Sequence, residues 1–585
     1  MHSRLTWFQI CFLPLLCVLV LCGSAFGLDR SAFTFTNYDL RVRVVPATHG
    51  FEGNGKIALR NDSTVPQRNL SLQISSSLSW KTIRLGDKQL TYVTQPYETD
   101  IDHTGAVSEA IVELPEAVAP NQTVILDVSY GGTITADATR LTRIGVPEAV
   151  AFRNDWDSIS TEFTALRGAG YVCWYPVAME SASLSEGNRY FEVLGEWKQR
   201  ESEAVMTVAI QEQGSDSILA NGRLTGSSAH APINPEEATT RESDYSFRLG
   251  RYPATFAIAS YSTVTRPTIS VEYVGEDRAS AEEFVLAAEK VLPLITRWFG
   301  PEREKVQVIE LADADAMPFD SGAIVFTPLR SGDQPRTEVQ VAHQLAHACE
   351  PVGTSRAWIS EGLAQFAQAL VREQQAGRGA ALNWMDGLLP ALQAAENQAL
   401  QGSAGQTSST TVGQPLTRAS DPAYYNIKAM FVWWMLRDMV GDDALQHVIQ
   451  SYQPAQDKEP SYVQRLAEVQ SKKSLEWFFA DWVYRDRGLP DFRIKAGFVR
   501  TMLAGNISVT LTVENLGDAS AEVPVIIKTE RGEIPTRMLV KGKSEAVKRV
   551  EVPLAPVSAV VNDGSVPESD MTNDTYTFPA KSNSQ

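Results

Sequence analysis

EVQVAHQLAHACEPVGTSRAWISEGLAQFAQAL, Glu338 to Leu370, is the stretch on which the reading of this 585-residue chain turns. His343 and His347 are four apart, among apolar residues (Val339, Ala342, Leu345, Ala346) spaced for a helix. At that spacing two imidazoles leave one helix face, their Cβ atoms about 5–6 Å apart, which suits a shared tetrahedral metal. A second helix opens at AWISEGLAQF and carries Glu361 near its start. Two histidines and one carboxylate form the donor set of a catalytic zinc site with one position left for water. An isolated His-x-x-x-His pair is more often a pair of packed histidines. Here two of only seven histidines stand at metal spacing ahead of Trp-Ile-Ser-Glu-Gly-Leu-Ala, and that favours a metal.

On either side the texture of the chain changes. Upstream, from about Leu28 to Val264, period-two stretches such as YDLRVRVVPA (Tyr38–Ala47), KIALRN (Lys56–Asn61), TVILDVSYGG (Thr123–Gly132) and EAVMTVAIQE (Glu203–Glu212) indicate antiparallel sheet. A helix is expected over Ala279–Phe299, bent at Pro293 and ended by Gly300, followed by strands at Lys305–Ala312 and Gly322–Leu329. Helical patterns then run to about Arg487, broken by a Gly/Ser/Thr-rich loop, Gly402–Pro415. Beyond Pro490, strands at Asn506–Gly517, Ala521–Glu530 and Ala546–Leu554 are spaced like a small β-sandwich. The fold class is therefore α+β and multidomain. The expected boundaries are 1–27 for a leader, 28–266 for an N-terminal antiparallel β domain, 267–488 for a mainly helical middle domain and 489–580 for a C-terminal β-sandwich.

Length alone implies several domains. Hydrophobic residues at 43% and charged residues at 21% exclude a disordered, collagenous or multi-span membrane chain. A net charge of -18, from 52 Lys+Arg against 70 Asp+Glu, disfavours a sequence-independent nucleic-acid partner. Arg4, the 14-residue apolar run Phe8–Leu21 and the small residues Gly23, Ser24, Ala25 and Gly27 read as a secretory signal. That run falls short of the ~20 residues a spanning helix needs. The expectation is an exported protein, periplasmic or extracellular, with no transmembrane segment in the mature chain. A lipid anchor at Cys22 is disfavoured by the leucine before it. Cys173 and Cys349 then remain, and spacing does not say whether they pair.

The central stretch resembles the aminopeptidase-N-type gluzincins, zinc metallopeptidases whose signature is His-Glu-x-x-His, a spacer, then Trp-Leu-x-Glu-Gly-Phe-Ala. Trp358, Glu361, Gly362 and Ala364 match the second element, with Ile359 and Leu363 as apolar stand-ins. RWFGPEREKVQVIEL (Arg297–Leu311) looks like the family's entry into its thermolysin-like domain, and the order of domains is similar over most of the mature chain. The resemblance implies zinc on His343, His347 and Glu361, and a peptide or protein ligand in the cleft. It also implies a tyrosine that donates to the tetrahedral intermediate. Tyr425 or Tyr424 would hold that role, although even Tyr425 stands one residue too far from Lys428 for the family's Tyr-x-Lys-Gly helix.

Three departures qualify it. Gln344 stands where the family has its general base, and an amide has no titratable proton near neutrality. Loss of such a base typically costs ~10²–10⁴-fold in rate. Glu350 is a candidate substitute, but Pro351 ends the helix there and favours a solvated helix-end carboxylate. The spacer from His347 to Glu361 holds thirteen residues, shorter than in the well-characterised enzymes. Finally, the Gly-x-Met-Glu-Asn strand that reads a free amino terminus is replaced by AMPFDSGA (Ala316–Ala323). Asp320, Gly322 and Ala323 occupy the corresponding substrate-binding positions, with Asp320 as either a stand-in or a plain turn carboxylate. Three readings stay open: a zinc-binding protein with impaired peptide hydrolysis, an active zinc peptidase (aminopeptidase-like or endopeptidase) with a rearranged base, and a metal-free structural or binding module.

Overall fold

The computed structural model describes residues 28–579 apart from 187, 215, 231–238, 352–353, 355, 404–412 and 503–506. The leader, Cys22 and most of the 402–415 loop therefore lie outside the described residues. The alternating N-terminal stretches form an eight-stranded sheet. Its spatial order is Arg223–His230, Thr240–Arg248, Val205–Gln213, Phe33–Val45, Gly50–Asn61, Thr123–Thr133, Leu78–Leu85 and Lys88–Gln89. A three-stranded sheet (Gln67–Ser75, Ala106–Val118, Thr91–Glu98) accompanies it, and one core contains Tyr38, Phe51, Trp174, Tyr175 and Leu126.

The expectation of a wholly antiparallel N-terminal sheet needs correction. Phe33–Val45 pairs in parallel with Val205–Gln213, Asn37 opposite Val205. Alternation fixes which face of a strand is buried but is silent about the partner's direction. The region also holds a helix, Asn188–Arg200, whose Lys198 lies within electrostatic reach of Glu361.

Ser262–Thr265 pairs with Ile269–Tyr273 in a five-stranded mixed sheet. That sheet continues through Val306–Glu310 and Ile324–Thr327, both in parallel pairings, and ends in the antiparallel edge Phe319–Ser321. Helix Arg278–Phe299 carries Pro293 within it and stops at Gly300, whose φ of 88° suits glycine. Helices Gln334–Cys349 and Ala357–Ala376 follow, and further helices run to Tyr484.

Past Pro490 come two antiparallel sheets. One orders Phe492–Thr501, Ile507–Asn515 and Ser544–Val552; the other orders Gly532–Val540, Ala521–Thr529, Pro556–Val561 and Thr575–Thr577. Their buried residues Val509, Leu511, Val525 and Ile527 belong to the same continuous core as the helical region. Cys173 and Cys349 are both free and buried, so they form no disulfide. No helix among the described residues is long and apolar enough to cross a membrane.

Candidate metal centre

Helix Gln334–Cys349 begins where Asp333 accepts from the Arg336 N–H at 3.2 Å and Pro335 occupies the first turn. Its apolar spacing buries nearly every side chain from Thr337 onward. His343 and His347 are 5% and 3% exposed, so neither imidazole is simply hydrated. The second helix, Ala357–Ala376, packs closely because Gly362 has no side chain. A Cβ at Gly362 would sit 2.6 Å from Ala429 Cβ, in the helix Ala429–Val440. Trp358 stacks on Trp433 of that helix, ring centroids 5.2 Å apart. These contacts seat the second helix so that Glu361 reaches the histidines.

His343 Nε2 and His347 Nε2 are 3.3 Å apart, and each lies 3.5 Å from Glu361 Oε2. A tetrahedral ion with bonds of about 2.0–2.1 Å needs donors roughly 3.3–3.5 Å from one another. The three residues are the one such group among the described residues. The surrounding bonds fix each donor. His347 Nδ1 contacts Glu350 Oε2 at 3.2 Å, which favours the proton on Nδ1 and leaves the Nε2 lone pair facing His343 and Glu361. Glu361 Oε1 accepts from Tyr252 Oη at 2.8 Å, leaving Oε2 for the histidines.

Charge favours a cation at this point. Burial works against a protonated His347, yet Glu361 and Glu350 outweigh it and push its pKa up to about 9. Burial likewise opposes ionised Glu361, but His347 and His343 hold its carboxyl well below the usual range. The donor set and its electrostatics therefore fit a divalent ion.

Glu350 departs from the expectation of a solvated helix-end carboxylate. It caps the histidine helix and is drawn inward by Arg251 and by Ser360 Oγ, which donates at 2.9 Å. Arg251 also donates to Ser360 Oγ at 2.7 Å. Glu350 meets His347 at Nδ1, on the side away from Glu361, and so orients that imidazole.

Gln344 is 1% exposed, and its Nε2 donates to Asp320 Oδ1 at 2.5 Å. Asp320 comes from the sheet edge Phe319–Ser321 and is open to solvent, though neighbouring protein still raises its carboxyl through burial. Gly322 follows at φ 67°, where a Cβ would meet the Tyr252 ring at 3.4 Å, and Ala323 is buried. Tyr424 and Tyr425 lie in a π-helical turn, Ala423–Lys428. Such a turn is wider than an α turn. Tyr425 is half-buried on the Glu361 side, and burial and that carboxylate raise its hydroxyl pKa. Tyr424 is fully buried. Its ring packs 5.6 Å from Lys428 Nζ, which bridges Glu396 and Asp486 in the interior.

Cys349 is not brought to the triad. It lines a cavity of about 30 Å³ with Phe299, Ile359 and Tyr452, and burial pushes its thiol up to about 12. Sequence reasoning missed Arg251, Tyr252 and Lys198. Lys198, on helix Asn188–Arg200, lies within electrostatic reach of Glu361, and burial lowers its pKa. None of the three belongs to a spaced motif, so no local signal marks them.

No family model matches the chain, and no curated relative matches it. Among solved structures, the M1 zinc metallopeptidase from Deinococcus radiodurans aligns at 16% identity over 80% of this chain and 96% of that one, with a TM-score of 0.47. An alanine mutant of that protein bound to a Tyr-Ser-Ala substrate aligns at 16% identity over 80% and 97%, TM-score 0.47. A two-domain M1 zinc metallopeptidase mutant bound to L-tryptophan gives 17%, 80% and 97%, TM-score 0.48.

Proposed function

We propose that this chain is an exported gluzincin-type zinc metallopeptidase homologue that binds peptide in its cleft and hydrolyses it slowly. The observation that carries the reading is the triangle of His343, His347 and Glu361 donors, 3.3 to 3.5 Å on a side. Zinc held there supplies Lewis-acid chemistry. Around it, Glu350 and Tyr252 orient His347 and Glu361, and Tyr425 stands ready to donate to a developing oxyanion. Gln344 cannot accept a proton, so turnover is slower than a carboxylate at that position would give. The leader-like residues 1–27 motivate export, and the domain limits 28–266, 267–488 and 489–580, the last a β-sandwich, belong to the same proposal.

Zinc titration of the purified chain should give one equivalent, lost in His343→Ala. Chelator-sensitive cleavage of a fluorogenic peptide should be slow, and Gln344→Glu should raise it. Equal, fast cleavage by both forms would refute the slow-hydrolysis reading, and absence of zinc binding would favour a metal-free module.

A further inference from the structure

We infer that the proton-handling carboxylate of this cleft is Asp320, carried by the sheet edge instead of the histidine helix, with Gln344 as the residue that positions it. This rests on the peptidase reading above.

Gln344 follows His343 directly, and its Nε2 holds Asp320 Oδ1 at 2.5 Å. An amide N–H only donates, so this contact presents the carboxylate as an acceptor with a fixed orientation. Asp320 makes no other side-chain hydrogen bond or ion pair among the described residues, and it is solvent-exposed. Oδ2 is thus free to meet water or substrate. His343 and His347 from one helix and Glu361 from the next lie within electrostatic reach of it, so it stands beside the candidate centre.

The chemistry balances with water alone. Asp320 takes one proton as the water oxygen bonds to the peptide carbonyl carbon. It returns that proton to the amine nitrogen as the C–N bond breaks, and it ends ionised as it began. A different role, holding the substrate's free amino terminus, would need the same carboxylate but affect a different kinetic constant.

The test compares the zinc-loaded full chain with Asp320→Asn on one peptide carrying a free amino terminus and on its N-acetylated counterpart. Expected is a ~10²–10⁴-fold loss of kcat on both peptides with KM little changed. Zinc affinity, measured by competition with a chromophoric chelator, and Tm should stay as in the unmodified chain. Gln344→Glu combined with Asp320→Asn should recover kcat by returning a carboxylate to the helix. A KM rise confined to the free-amine peptide would overturn the inference in favour of terminus binding. It would also fall with an unchanged kcat, no recovery in the double variant, or no chelator-sensitive turnover at all. Failure to bind zinc appears separately in the chelator competition and refutes the underlying site reading.

Discussion

Among single residues, Glu350 offers a direct test of ligand orientation. Its carboxylate holds the His347 Nδ1 side of the centre and is itself held by Arg251 and Ser360. In Glu350→Gln that charge is gone while the shape is kept. Zinc affinity should fall about 10–100-fold, with one equivalent still bound at saturation. Unchanged affinity in the chelator competition would remove Glu350 from the centre. The two histidines and Glu361 were legible in the sequence because a fixed helical spacing and a short motif mark them. Glu350 was not, since its neighbours show only a helix end beside Pro351 and its partners arrive from other elements. Gln344 was legible as a missing base, but its pairing with Asp320 depends on where a sheet edge falls.

Among the elements, helix Asn188–Arg200 went unread in the sequence, because it interrupts a long run of strands. Its end is tied to strand Phe33–Val45 through Glu201, whose Oε1 accepts from the Phe35 N–H at 3.2 Å. Burial pushes the Glu201 carboxyl up to about 8, with Arg200 and the Phe35 N–H opposing it less strongly. In the fold this group keeps its proton where the unfolded chain, near 4.5, has released it. Its contribution is therefore fully present below pH 4.5, declines as pH rises from there to about 8, and is spent above that. Glu201→Gln should flatten the fall of Tm across this window and leave the variant more stable than the parent at pH 8. An undiminished slope in thermal scans at pH 5 and pH 8 would assign it to other groups. The π-helical turn at Ala423–Lys428 is a second case of limited legibility. The spacing of Tyr425 and Lys428 was visible, but nothing in the sequence marked the wider turn that holds them.

Over the full chain, the class of fold was readable from the change in periodicity, while strand partners were not. The metal centre illustrates why that matters. Arg251 and Tyr252 follow strand Thr240–Arg248 of the N-terminal sheet, yet they hold Glu350 and Glu361 beside the histidines. A cation held at the proposed site between the two central helices would consequently draw on the N-terminal region too. Zinc at one hundred times its Kd should stabilise the native chain by about 2.7 kcal/mol. The Tm of the intact protein should rise with zinc and fall with chelator. In Tyr252→Phe the gain should shrink, since Glu361 loses one of its restraints. A zinc-independent Tm would mean that the ligands are not shared in this way.

The parallel pairing of Phe33–Val45 with Val205–Gln213 has a consequence for how the protein is made. A chain emerging from the ribosome can bond this strand to Gly50–Asn61 early, but its other edge stays open until Gln213 has appeared. Open strand edges invite pairing with foreign chains. Translation products that stop short of Val205 carry that edge permanently, and they are the fragments expected to self-associate.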